Sequence, residues 1–233
     1  MRAVGPYWDT LRHRHLMPSE YCYYKGLLQE LWDAGAVELC LHANAATMNR
    51  YSYINVPWFC PEHDFDLGFY PPSEREILAN FIGSASVHQP STGNGTRDQY
   101  LLAANRIRWR TVQGMVRCGP DCHVAMFHRA RLQNASDTED YVQAARRLIG
   151  FTIFNILPPG DGLARSTREQ TVAVGSIPVM LDFPDSTPFA QEFPFSEVID
   201  WSNFSLNFKL VSKAEIYGFK SYWPRLEKTL REM

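Results

Sequence analysis

Residues 151–181 read FTIFNILPPGDGLARSTREQTVAVGSIPVML, and this stretch decides the fold. Residues 151–157 are a mostly apolar run that includes Ile153 and Ile156. A short apolar run closed by Pro-Pro-Gly reads as a buried strand. Pro158 and Pro159 stop it, because neither has an N–H to give to a sheet ladder. Gly160, Asp161 and Gly162 then allow a sharp turn. Ser166 and Glu169 have the S-x-x-E spacing of a capping box, in which each side chain bonds the other residue's backbone N–H. Gly175 stands where a helix C-terminal glycine is expected. Residues 177–181 are a second strand. Strand, helix and strand at this spacing make one βαβ-like unit, and such units build parallel sheets.

In open parallel sheets the ligand sits beyond the carboxyl ends of the strands. The loop 158–166 lies there, with the free N–H groups and positive dipole end of a helix start. That combination suits a phosphate or diphosphate, and Arg165 adds a full positive charge beside it. Plainer readings stand next to this one. Ser166 and Glu169 could be a cap and nothing more, and Arg165 a solvated surface arginine. A Gly loop before a helix is common in α/β proteins and by itself names no ligand.

Composition is that of an ordinary globular protein. The 233 residues are 45% hydrophobic and 21% charged, with a net charge of −2. That length can bury a substantial core. The near-neutral balance gives no reason to expect a nucleic-acid partner or a general affinity for anionic membranes. No run of about 18 consecutive apolar residues marks a transmembrane helix. The N-terminal MRAVGPYWDTLRHRH lacks the apolar centre of a signal peptide. There is no internal repeat and no low-complexity tract.

Working outward, residues 21–36 have helical spacing, with Leu27, Leu28, Leu31 and Trp32 on one face. Residues 37–41 and 52–59 are strand candidates, 61–75 a Pro-rich loop, and 85–96 a Gly/Ser/Asn-rich flexible loop. Residues 97–113 read as a helix carrying Leu101, Leu102, Ile107 and Trp109. Its Arg106, Arg108 and Arg110 read as a solvated face, with a diphosphate contact as the sharper alternative. Residues 123–127 are a short strand and 138–149 an amphipathic helix capped near Asp137. Residues 204–210 alternate like a strand. The tail 212–231 is helical, kinked or interrupted at Pro224.

Five cysteines, Cys22, Cys40, Cys60, Cys118 and Cys122, leave at least one unpaired within the chain. Cys118, Cys122 and His123 hint at a metal site, but further ligands at zinc-like spacing are missing apart from His128. A Cys118–Cys122 disulfide or plain buried thiols fit better. Asn94-Gly-Thr, Asn134-Ala-Ser and Asn203-Phe-Ser match the N-glycosylation acceptor pattern. Of these, Asn203 is the least suited, since it lies where a strand is expected to begin.

The segment 158–179 resembles the signature of the exostosin-type glycosyltransferases, a family that includes heparan-sulfate polymerases and plant cell-wall galactosyl-, xylosyl- and arabinosyltransferases. The matching positions are Pro158, Pro159, Gly160, Asp161, Arg165, Ser166, Gly175, Ile177, Pro178 and Val179. PFSEVIDWSNFSL (194–206), ILANFIG (77–83), YSYINVPWFCP (51–61) and Pro6-Tyr7-Trp8 are similar to further family segments. The resemblance covers most of residues 50–207. The stretch 17–32 departs from it. So does Gln170, at a position five residues before Gly175 where the family usually has an Asp or Glu for the donor's sugar or ribose. Glu169 is one residue away and would point about 100° round the helix. Gln170 can still bond a hydroxyl, but without charge.

The resemblance implies an α/β fold: a Rossmann-like parallel sheet flanked by helices, the donor-binding half of a GT-B glycosyltransferase, with the N-terminal half largely missing. Residues 1–50 are expected to be a remnant of the acceptor-side half and connecting segment, and 51–233 the nucleotide-sugar-binding domain. The expected reaction is inverting transfer of a sugar from a nucleotide diphosphate, UDP in the first place, to a carbohydrate or glycoprotein acceptor. The residues expected at the nucleotide sugar are Gly83, Gly160, Arg165, Ser166, Thr167, Arg168, Glu169 and Gln170. The general base is unassigned; His13 and His15 carry no specific signal.

No tightly bound cofactor is implied. A UDP-sugar is the donor substrate, and a divalent cation is compatible but not required. Asp64-Phe65-Asp66 resembles the metal-binding DxD of another glycosyltransferase architecture, but its surroundings match an exostosin-type loop. Family members are usually anchored in the Golgi membrane, so a Golgi address follows by resemblance, without a targeting segment or anchor visible in this chain. The chain could be a fragment. Two other readings stay open: an inactive nucleotide-sugar-binding module serving as a partner glycosyltransferase subunit, and an unrelated Rossmann-like enzyme for another phosphorylated ligand. The second lacks a G-x-G-x-x-G fingerprint after Gly160 and Gly162.

Overall fold

The computed structural model describes residues 16–19, 37–40, 53–55, 70–84, 95–126, 143–145, 147–160, 166–183, 193, 195, 198–210, 213–216 and 221–233. The chain divides into two units. The first holds a three-stranded parallel sheet of β1 (Leu16–Ser19), β2 (Val37–Cys40) and β3 (Tyr53–Asn55), in that order. Its registers run Leu16↔Val37 and Leu39↔Ile54. Phe193 stacks on Trp201 in the same unit, with centroids 5.4 Å apart. The expected helix 21–36 lies outside the described residues.

The second unit is built on five parallel strands: β4 (Ile77–Gly83), β5 (Cys122–Met126), β6 (Thr152–Leu157), β7 (Ile177–Asp182) and β8 (Leu206–Lys209). Their order across the sheet is β5-β4-β6-β7-β8. The near-continuous apolar character of β6 and β7 follows from burial on both faces, as a parallel sheet requires. Helices fill the connections: α1 (Gly95–Cys118) between β4 and β5, and α2 (Ser166–Ala173) between β6 and β7. Residues 143–145 and 147–150, between β5 and β6, are also helical. α3 (Lys213–Ile216) and α4 (Trp223–Glu232) follow β8.

Register shows that helices lie on both faces. Asn155 on β6 is level with Pro178, and its side chain meets Thr171 of α2. Phe208 on β8 is level with Leu181, three residues on from Pro178 and so on the opposite face of β7, where its ring meets Tyr222 just before α4. α4 buries Trp223, Leu226 and Leu230 and packs with α1. The fold is thus a Rossmann-like α/β sheet flanked by helices. Among the described residues no helix is long and apolar enough to cross a membrane.

Several boundaries differ from the sequence reading. α1 runs from Gly95 to Cys118, longer than 97–113 at both ends. Gly114 does not end it. A Cβ at Gly114 would stand 2.3 Å from Trp223 ring carbons, so the glycine makes room for the indole. The stop is Gly119-Pro120, with Gly119 at φ 79°. The buried seam of α1 is Ala103, Ala104, Ile107, Thr111, Gly114 and Met115, while Trp109 is 42% exposed. Of the two expectations for Pro224, a kink or an interruption of the tail helix, the structure has the interruption: residues 221 and 222, just before it, are not helical. Pro224 itself lies in the first turn of α4, where its missing N–H costs nothing.

Two polar knots hold this unit. Arg75, before β4, donates to the carbonyls of Tyr70, Thr152 and Val174 and to Ser176 Oγ, at 2.7–3.1 Å. Ser176 Oγ bonds the Ile149 and Thr152 carbonyls. Burial pulls the Arg75 pKa down, without discharging a group this basic. On the other side of the sheet, Tyr222 Oη donates to the Ile107 carbonyl and lies 2.7 Å from Thr111 Oγ1. Cys118 and Cys122 are joined in a disulfide that links the end of α1 to the start of β5.

Candidate functional site

The strand order reverses between β4 and β6. From β4 the chain passes through α1 to β5 on one side; from β6, the neighbour on the other side, it passes through α2 to β7. At such a switch point the two outgoing loops part and leave a crevice beyond the carboxyl ends of the strands, the ligand position of open α/β sheets. The loop 158–166 leaves β6 at this place.

Gly83 and Gly160 are brought to this rim together. β4 and β6 pair Ala79 with Phe154 and Asn80 with Asn155; from there β4 runs on to end at Gly83 and β6 to end at Leu157, three residues before Gly160. A Cβ at Gly83 would come 3.1 Å from Phe81 Cζ, so a larger residue would crowd the core at the crevice floor. Arg165 lies outside the described residues, as do Asp161 and Gly162. Ser166 opens α2; its side chain is outside the described set. Thr167, Glu169 and Gln170 are half-buried in the first two turns.

The capping box does not form on the Glu169 side. α2 already includes Ser166, and Glu169 turns to its neighbour instead: Arg168 Nε and Nη2 donate to Glu169 Oε1 at 3.0 and 2.6 Å. The other oxygen, Oε2, has no hydrogen-bond partner among the described residues. Arg168 is 2% exposed. Its guanidinium is therefore inside the protein with its charge met by Glu169, rather than standing at the surface of the loop. An acidic group in the first turn also complements the helix dipole.

The end of α2 matches the sequence reading. Gly175 has φ 73°. The N–H of Ser176 bonds the Thr171 carbonyl at 3.0 Å and that of Gly175 the Val172 carbonyl at 2.9 Å. This is the double bond pattern of a Schellman stop, which needs a left-handed residue at Gly175.

Two features of the site were not read from the sequence. The first is a pair of wholly buried asparagines, Asn80 and Asn155, adjacent on the two switch-point strands. Asn80 Nδ2 donates to Thr152 Oγ1 at 3.0 Å and Asn155 Nδ2 to Thr171 Oγ1 at 2.6 Å. The second is Arg108. The three α1 arginines do not share a solvated face. Arg106 is exposed, but Arg110 bonds the Glu215 carbonyl, and Arg108 is 8% exposed. Arg108 donates through Nε to the Pro159 carbonyl at 2.7 Å and through Nη1 to the Ser84 carbonyl at 3.4 Å. It thereby ties together the loops leaving β6 and β4. Helical spacing carried the signal: Arg108 is four residues from Ala104 and three from Thr111, both in the buried seam.

Tyr100, two turns earlier in α1, packs against Phe183 just past β7, with centroids 5.7 Å apart. α1 therefore reaches the ends of three strands: β7 through Tyr100, and β4 and β6 through Arg108.

The exostosin GT47 domain matches residues 5–214, most of the chain. Among curated proteins none matches. The parallel sheet, the reversal of its strand order and the match over residues 5–214 agree, and the chain belongs to the exostosin GT47 family of glycosyltransferases.

Proposed function

We propose that this chain binds a nucleoside diphosphate sugar, with UDP as the nucleotide, in the crevice between the ends of β4 and β6. The observation that carries the reading is the placement of Gly83 and Gly160 at the ends of adjacent strands where the order reverses, with α2 starting six residues after Gly160. Backbone N–H groups of the α2 start and the charge of Arg165 take the diphosphate. The same groups stabilise the leaving diphosphate while an acceptor hydroxyl attacks the sugar carbon from the opposite side, which inverts that centre. The acceptor is a carbohydrate or a glycoprotein glycan. A general base must take its proton, and no residue here is assigned that role. The reaction needs no tightly bound cofactor; a divalent cation could assist the diphosphate without being required. The Cys118–Cys122 disulfide supports an oxidising lumenal address such as the Golgi.

Gln170 favours a second reading. It stands in α2 where the family usually carries an acid, so its contact to a donor hydroxyl has no charge. A chain so altered would bind donor without turning it over and serve as a partner subunit.

Calorimetric titration with UDP and a panel of UDP-sugars tests the donor site. The expected result is saturable binding that Arg165→Ala weakens by about 1.5–3 kcal/mol, the loss of a charge-assisted hydrogen bond. Binding without sugar transfer to any acceptor would select the partner-subunit reading. No binding to any nucleotide sugar would overturn both.

A further inference from the structure

The geometry points to Arg108 as a positioning residue for the diphosphate of the donor, acting through the backbone of Gly160; this rests on the donor site proposed above. Arg108 belongs to neither strand-end loop. It reaches from α1 and holds the carbonyls of Pro159 and Ser84 with two nitrogens of one rigid guanidinium.

The Pro159 bond, at 2.7 Å, is the shorter and has the stronger consequence. A peptide unit is planar and trans, so the carbonyl of Pro159 and the N–H of Gly160 point in opposite directions. Fixing that carbonyl on Arg108 turns the Gly160 N–H away from α1. The glycine alone would not hold this orientation, since it tolerates either direction of the peptide plane. A fixed N–H at the carboxyl end of a strand, beside a helix start, is the element from which diphosphate cradles are built. The Ser84 bond adds a second constraint. It sets the spacing between the loops of β4 and β6, and so the width of the crevice at its floor.

A lysine in place of Arg108 would keep the charge but lose the planar fork, and its ammonium would not hold both carbonyls in the same geometry. The variants Arg108→Lys and Arg108→Ala therefore separate orientation from charge. Arg117→Ala removes an equal charge from the exposed end of the same helix and serves as the comparison.

The experiment is calorimetric binding of UDP to the full chain and these three variants. Thermal unfolding and the NMR signal of the Gly160 amide are followed on the same ligand-free samples. The expected result is that Arg108→Lys and Arg108→Ala both bind UDP about tenfold or more weakly, as on loss of one charge-assisted hydrogen bond. The Gly160 amide should shift in both, and Arg117→Ala should change neither. Wild-type affinity in folded Arg108→Lys would overturn the proposal and leave the donor reading standing. So would an unmoved Gly160 amide. If Arg108→Ala does not fold, Arg108→Lys decides. If neither folds, Arg108 is a structural residue and the positioning role falls. Absence of UDP binding by the wild-type chain would overturn the donor reading itself, and this proposal with it.

Discussion

Asn155 on β6 donates from Nδ2 to Thr171 Oγ1 on α2 at 2.6 Å, and both residues are wholly buried. The bond joins the strand before the candidate donor loop to the helix after it. Thr171 Oγ1 in turn donates a hydrogen bond to the Thr167 carbonyl at 2.5 Å, so the chain of bonds continues into the first turn of α2. Thr171→Val keeps the side-chain shape and strands the Asn155 amide in the core. That should cost about 1–3 kcal/mol in urea unfolding, with Thr171→Ser recovering most of it. Equal stability of Thr171→Val and wild type would show that the bond does not hold the frame.

Arg75 makes the corresponding knot at the opposite end of the sheet. Its guanidinium meets three backbone carbonyls and Ser176 Oγ, so no shorter or single-headed cation can replace it. Arg75→Lys should take the Arg75 donor from the buried Val174 carbonyl, remove one of the two donors to the Thr152 carbonyl, and destabilise the chain by about 2 kcal/mol. Denaturant midpoints check this. A midpoint unchanged by the substitution would contradict the account.

Gly114 is required by Trp223. A Cβ placed 2.3–2.7 Å from three atoms of that side chain forces the buried indole aside. Alanine normally favours a helix over glycine by about 1 kcal/mol. Here Gly114→Ala should instead destabilise, by about 1–3 kcal/mol of overpacking. The melting temperature of the single variant gives the sign directly. A rise would mean that α4 is not seated on α1 as described.

Burial pushes the Tyr222 pKa up, against the lowering effects of its Thr111 hydrogen bond and the Arg110 charge. A phenol with a raised pKa in the folded state contributes its full stability below the unfolded value, about 10. That contribution is lost as pH climbs past it, because only the unfolded chain can ionise. The slope is about 1.4 kcal/mol per pH unit. Tyr222→Phe should be less stable than wild type near neutral pH, having lost the bond to the Ile107 carbonyl. The gap should close above about pH 10. Parallel pH profiles would speak against a buried phenol.

The parallel sheet was legible because β6 and β7 are mostly apolar and are punctuated by Pro158-Pro159-Gly160 and Gly175. Local signals of that kind survive in any context. The strand order was not legible, since pairing between β4 and β6 is a long-range choice that no local pattern records. α1 was mis-bounded for a physical reason: beside Ile107 and Met115 its packing face uses the small residues Ala103, Ala104, Thr111 and Gly114, which a search for large apolar residues passes over. Arg108 was misread because charge suggested solvent, although its helical phase placed it in the seam. Glu169 met the spacing of a capping box, but a neighbouring arginine offered the carboxylate a stronger, charge-assisted partner.

The central claim is that the donor binds where the strand order reverses. Hydrogen–deuterium exchange of the full chain with and without saturating UDP tests it most directly. The account predicts slowed exchange in peptides spanning 83–97 and 158–170, the loops and helix starts at the ends of β4 and β6. Protection confined to segments outside these, or no protection under conditions where UDP binds, would contradict it.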